Sequence, residues 1–239
     1  MLNSIIFILA SYFAASGATV AGFGSSTLLI PVALLFMDIK TAIFIVAFFH
    51  LFNNLFKIRM FWNKIDFKTF LLFGIPSIIL AFIGAALISV IPVDIIKSIL
   101  AVFLIIYSIY TIVNPKFALK KTKAYAVVGG SFSGLLAGLI GMGGAIRSAF
   151  LIAFNLPKEV YIATSAMIAV VIDVARIPTY FFTKVVQGSG HYIFLFFLFV
   201  SAYLGVKTGK ILLKRINQKT FRKIVSIALL LAGLKMLIL

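Results

Sequence analysis

The first 37 residues, Met1 to Met37, carry no charged side chain and are mostly apolar, and Ala124 to Leu156 repeat the pattern with one exception, Arg147. A straight helix of 37 residues would measure about 55 Å, against about 30 Å for the hydrocarbon core of a bilayer. Each run must therefore fold back or break. Glycines mark the place in both, at Gly22-Phe23-Gly24-Ser25-Ser26 and at Gly141-Met142-Gly143-Gly144. Two interrupted hydrophobic segments at matching places in two halves of a chain point to a transporter's binding site.

Further apolar stretches fall near 39–62, 68–91 and 93–113, and a polar stretch spans 114–123. The second half then replays the order, with stretches near 160–183, 191–213 and 220–238. The pattern predicts an all-α integral membrane protein of about eight hydrophobic segments. Two membrane repeats, 1–113 and 124–239, would flank a cytoplasmic linker at 114–123, each built from one broken Gly-rich segment and three transmembrane helices. An offset of 119 positions lays Gly22 on Gly141, Gly24 on Gly143, Ile43 on Ile162, Ala47 on Ala166 and Ile58 on Ile177. The same offset sets Asn54 on Asp173 and Lys57 on Arg176.

Basic residues orient these segments. Lys57, Arg59, Lys64 and Lys68 mark one cytoplasmic loop, Lys116, Lys120, Lys121 and Lys123 a second, and the run from Lys207 to Lys223 a third. Asp38 with Lys40, Asp94 with Lys97, and Lys184 lie on the opposite side. Tracing the chain between these anchors makes each broken segment begin and end on one face, the first outside and the second inside. The halves are therefore expected to be inverted in the cytoplasmic membrane, which the chain crosses several times. Whether the broken segments are re-entrant or cross twice stays open.

Composition agrees with a membrane partner: 63% of the 239 residues are hydrophobic, 26 of them Phe, too little polar surface for a soluble globule of this size. The net charge of +17 sits in short loops between apolar segments, so it sets orientation and calls for no nucleic acid. Cysteine is absent, which removes disulfides and thiolate chemistry. The start Met1-Leu2-Asn3-Ser4 lacks the basic region of a cleavable leader, although Ala14-Ala15-Ser16 has the small residues of a cleavage site. No HExxH, GxSxG or P-loop is present, and the five acidic residues and two histidines form no metal-ligand spacing. The reading is a non-enzyme without cofactor or metal, neither requiring nor forbidding a homo-oligomer.

Helix breaks in a membrane expose free N–H groups at the start of the following half-helix, where an anion is favoured. Gly22, Gly24, Gly141, Gly143 and Gly144 are therefore candidate cradle residues, joined by the Ser25, Ser26 and Thr27 hydroxyls. Gly129, Gly130, Gly134 and Gly138 fit close helix packing better. Arg147 lies three residues past the second break, where a buried guanidinium is costly and needs a partner. That partner is either an oxyanion held by two parallel hydrogen bonds or Asp173 in an ion pair. Ser165, Asp173 and Arg176 share one helical stripe, and His50, Asn54 and Lys57 share the equivalent stripe of the first half. Lys57, near the cytoplasmic end, is expected to snorkel to the surface. Asp173 and His50 are the candidates to carry a coupling proton. His191 and Glu159 fall in loops and are assigned no chemistry.

Two halves that each open on a Gly-rich turn, with Ala163-Thr164-Ser165-Ala166 on the following helix and basic cytoplasmic loops, resemble the sulfite exporter family TauE/SafE. The resemblance runs from about Ser16 to the C-terminus. Members resemble a Gly-x-Gly-Gly-Gly turn followed by a proline in each half. Here the first half reads Gly22-Phe23-Gly24-Ser25-Ser26 with Pro31 in place, and the second reads Gly141-Met142-Gly143-Gly144-Ala145 with Phe150 at the proline position. The resemblance implies movement of a small sulfur-containing anion, such as sulfite or an organosulfonate, across the cytoplasmic membrane by a secondary transporter. A carboxylate or other small solute as cargo, a channel-like anion pore, and a membrane anchor for a partner are the alternatives.

Overall fold

A computed structural model of the chain describes residues 2–22, 24–33, 35–87, 93–114, 120–182 and 192–238. The loop residues Lys116, Lys184 and His191 lie outside them. Ten α-helices account for nearly all of the described chain, in the order α1 (Leu2–Ala21), α2 (Ser25–Ala33), α3 (Ile39–Phe61), α4 (Phe67–Leu87), α5 (Val93–Val113), α6 (Lys123–Ile140), α7 (Gly143–Ala153), α8 (Lys158–Phe182), α9 (Tyr192–Lys214) and α10 (Gln218–Ile238). A single 3-10 turn, Trp62–Lys64, follows α3. Among the described residues, five helices are long and apolar enough to cross a bilayer: Lys40–Lys64 with its terminal turn, Phe67–Leu87, Lys123–Ile140, Lys158–Phe182 and Leu195–Lys214.

Both overlong apolar runs break at their glycines. α1 stops at Gly22, whose φ of 72° is left-handed and whose N–H reaches the Ala18 carbonyl at 2.9 Å. α6 stops in the same way at Gly141, with φ 71° and a 3.1 Å bond to the Ala137 carbonyl. A side chain at either position would be strained, which is why glycine terminates both helices.

Neighbour relations are regular. α4 packs on α6 and α8, while α9 packs on α1 and α3; α3 meets α8, α5 meets α10, and α2 meets α7. Small residues allow the closest of these approaches. A methyl group built on Gly130, Gly134 or Gly138 of α6 would fall 2.1–2.3 Å from the carbonyl oxygens of Phe73, Ser77 and Ala81 on α4, so the packing reading of these glycines agrees with the structure. Gly205 and Gly209 do the same for α9 on α1, against Tyr12, Ala15, Ser16 and Thr19.

Large apolar side chains such as Ile75, Ile79, Phe82, Phe196 and Phe199 cover the outward faces of α4 and α9, as lipid-facing surface requires. The buried charged side chains Lys57, Arg147, Asp173 and Arg176, with His50, lie instead on α3, α7 and α8, and the Ser25, Ser26 and Thr27 hydroxyls of α2 are buried as well, making a polar core. At the loops, Asp38 caps α3 by accepting from the backbone N–H of Lys40 and Thr41, and the Thr41 hydroxyl leads the hydrogen bonds that hold its carboxyl below the usual range. Asp66 joins the start of α4 to Lys121 in the linker. Its partial burial disfavours the charge, but hydrogen bonds from Lys121 and Thr69 outweigh that and lower its pKa.

Candidate functional site

The two breaks lie against each other in the middle of this polar core. A methyl group built on Gly144 would fall 2.8 Å from the Gly24 Cα, and one built on Gly24 would fall 3.1 Å from the His50 Nε2. Gly143 sits close to the Ser133 carbonyl, and Gly22 lies under the ring of Tyr161. The N-termini of α2 and α7 thus start side by side, each with first-turn N–H groups that have no partner inside their own helix.

Around this junction the charged side chains are buried and specifically paired. Asp173 is fully buried and binds on both oxygens: Oδ1 accepts from Arg176 Nε at 2.8 Å, and Oδ2 lies 2.7 Å from His50 Nδ1. Arg176 also reaches Asp173 through Nη2 at 2.8 Å and donates from Nη1 to the Ala137 carbonyl at 2.9 Å. Tyr180 donates to the Gly138 carbonyl beside it at 2.7 Å. Arg147, 1% exposed, donates from Nε to Ser165 Oγ at 2.9 Å. The ion pair entertained for Arg147 and Asp173 is therefore not formed: Arg176, one helical turn along from Asp173, occupies the carboxylate.

Lys57 also departs from its sequence reading. It is 3% exposed, and its Nζ donates to the Ala18 carbonyl at 3.3 Å. Snorkelling fails because α1 ends at Gly22, and the Ala18 carbonyl at the negative end of the helix dipole, besides accepting from the Gly22 N–H, takes the Lys57 ammonium as a second donor. The offset of 119 lays Lys57 on Arg176 and Ala18 on Ala137. In each half a buried cation from the third helix thus binds the end of the first.

The remaining candidates fall into two groups. Ser25, Ser26 and Thr27 are buried in the first turn of α2, with no hydrogen-bond partner in the protein for Ser25 Oγ and Thr27 Oγ1. Asn54 is buried, but its amide is taken by the His50 carbonyl of its own helix at 2.7 Å. Its neighbour Asn53 is the one left over: both amide atoms are buried without a partner, as is His50 Nε2, while the Ser148 and Tyr161 hydroxyls have only each other, short of a well-formed hydrogen bond. Among the described residues eight buried side-chain atoms lack a well-formed hydrogen bond, and all but Ser108 Oγ belong to α2, α3, α7 and α8. Asn53, Ser148, Tyr161 and Lys57 are absent from the sequence-derived set. Spacing could have flagged Asn53, which lies three residues from His50 and four from Lys57 on the same stripe. The offset onto Arg176 could have flagged Lys57.

No group of three or more His, Cys, Asp or Glu among the described residues could hold a metal ion. What the arrangement offers is hydrogen-bond donors and positive charge around two helix N-termini, suited to an anion. No curated protein matches the chain. Residues 7–236, nearly its whole length, match the family described as Sulfite exporter TauE/SafE, and the chain belongs to that family of membrane transporters.

Proposed function

We propose that this protein is a secondary transporter that moves a small sulfur-containing anion, sulfite or an organosulfonate, across the cytoplasmic membrane. The anion would sit between the two Gly-rich breaks, held by the N–H groups that open α2 and α7, by the hydroxyls of Ser25, Ser26 and Thr27, and by Arg147. The observation that carries this reading is the concentration of buried polar atoms without a well-formed hydrogen bond on the four helices that meet at the breaks. Such atoms cost free energy unless a ligand or water satisfies them.

Two inverted repeats would provide the movement, by rocking of one half against the other around the shared site. Support comes from the left-handed glycines at matched positions, from the matched Lys57 and Arg176 contacts, and from helix neighbours that exchange in pairs between halves. Asp173 with His50 is the ionisable unit for proton coupling, because the pair joins a helix of each repeat.

Purified protein in liposomes loaded with radiolabelled sulfite tests the proposal. Wild-type protein is expected to give saturable efflux, and Arg147→Ala to lower it by about tenfold or more, the scale of a lost charge-assisted hydrogen bond. Unchanged efflux in Arg147→Ala removes the arginine from the site. Ohmic conductance without saturation would favour a pore.

A further inference from the structure

Resting on that reading, we infer that Lys57 and Arg147 form a two-cation site that selects doubly charged anions over singly charged ones of the same size. The argument begins with the comparison of the halves. In the second half Arg176 caps the end of α6 and is neutralised by Asp173, one turn before it. In the first half Lys57 caps the end of α1 in the same manner, but the position one turn before it is Asn54, which carries no charge. The duplicated cation has kept its place and lost its counterion.

Arg147 has no equivalent in the first half, where the offset of 119 reaches Leu28. It donates from Nε to a neutral hydroxyl, Ser165 Oγ, and among the described residues no carboxylate pairs with it or with Lys57. The two cations flank one turn: the Ala18 carbonyl that holds Lys57 also accepts from the Gly22 N–H, and Gly144, which lies against Arg147 Nη2, packs on Gly24 two residues further on. Of the acidic residues, Asp38, Asp66 and Glu159 are committed at the loops, and Asp173 is held by Arg176 and His50. Among the described side chains the core thus holds three guanidinium or ammonium groups, Lys57, Arg147 and Arg176, against one carboxylate, Asp173, an excess of two positive charges. Buried charges of one sign repel strongly where water is excluded. A dianion between Lys57 and Arg147 cancels the excess, whereas a monoanion leaves half of it.

Specificity then comes from charge count rather than size. Sulfate and methanesulfonate make the comparison, since a methyl group replaces one oxygen at nearly constant shape; thiosulfate and sulfite at pH 8 extend the dianion set. Competition against radiolabelled sulfite efflux from liposomes is expected to give half-inhibition by the dianions at concentrations about tenfold below those for methanesulfonate. Lys57→Met should abolish that difference with little change for methanesulfonate, and Lys57→Arg should retain it. Equal or stronger competition by methanesulfonate in the wild type, or a dianion preference that survives in Lys57→Met, overturns the inference while leaving sulfur-anion transport standing. Should Lys57→Met not fold, the wild-type comparison and Lys57→Arg still decide. Absence of any anion flux brings down both readings.

Discussion

At Asp173 one carboxylate does three jobs: it neutralises Arg176, orients the His50 ring through Nδ1, and leaves His50 Nε2 facing Gly24. Its removal should therefore cost more than an ordinary polar substitution. Asp173→Asn leaves the guanidinium of Arg176 buried without a counterion, a loss on the order of 3–5 kcal/mol, visible as a large drop in the thermal unfolding midpoint in detergent. The double variant Asp173→Asn with Arg176→Met should recover much of the loss, since removing both charges is far cheaper than stranding one. If the double variant is no more stable than the single one, the pair is not the element that matters. Several of these residues were legible in the sequence, because a charge inside an apolar stretch announces itself: Arg147, Asp173 and Arg176 could not be hidden. Partnering was not legible. Asn54 was singled out by its alignment with Asp173, yet its own helix takes its amide, while Asn53, next in the chain, carries the unpartnered atoms. Which amide is spent depends on side-chain direction, and no spacing rule contains that.

Among the elements, α4 with α6 and α9 with α1 are the tight pairs, and glycine lets them approach. Gly134 and Gly17 separate the two uses of glycine in a helix. A Cβ at Gly134 would lie 2.1 Å from the Ser77 carbonyl oxygen, backbone that cannot step aside, whereas at Gly17 the nearest atom is the Leu28 Cδ1 at 3.6 Å. Gly134→Ala should force α4 and α6 apart and lower stability by about 1–3 kcal/mol. Gly17→Ala should be neutral or stabilise by up to about 1 kcal/mol, through helix propensity alone. Unfolding followed by loss of helical circular dichroism compares them, and equal stability of the two variants would contradict the packing. The helices themselves were easy to foresee, from apolar stretches near 39–62 for α3 to 220–238 for α10. The breaks were foreseeable too, because an uncharged run longer than the bilayer is thick must stop somewhere and glycine is where it can. The inward turn of Lys57 was not, since it depends on where α1 ends relative to α3.

For the whole molecule, the exchange of neighbours between halves bears on orientation. The partners of α4, namely α6 and α8, become the partners of α9, namely α1 and α3, when the halves are exchanged, and α2, α3 and α5 each meet their own counterpart. A two-fold relation of that kind leaves two arrangements in a membrane: an axis along the normal keeps the halves parallel, and an axis in the plane inverts them. The basic loops favour the second: Arg59, Lys64 and Lys68 crowd the α3–α4 junction while Lys184 alone lies between α8 and α9, and Lys214, Arg215 and Lys219 crowd the α9–α10 junction while no base lies between α4 and α5. Because the chain contains no cysteine, single-cysteine variants read this out cleanly. In intact cells an impermeant maleimide should label Asn3→Cys and Lys40→Cys from outside, at the two ends of the first broken segment. Lys120→Cys and Glu159→Cys, at the two ends of the second, should react only after permeabilisation. Labelling of the two segments from one side would make the halves parallel, and α2 and α7 would then enter from the same face. A site reached from opposite faces in turn requires them to enter from opposite ones.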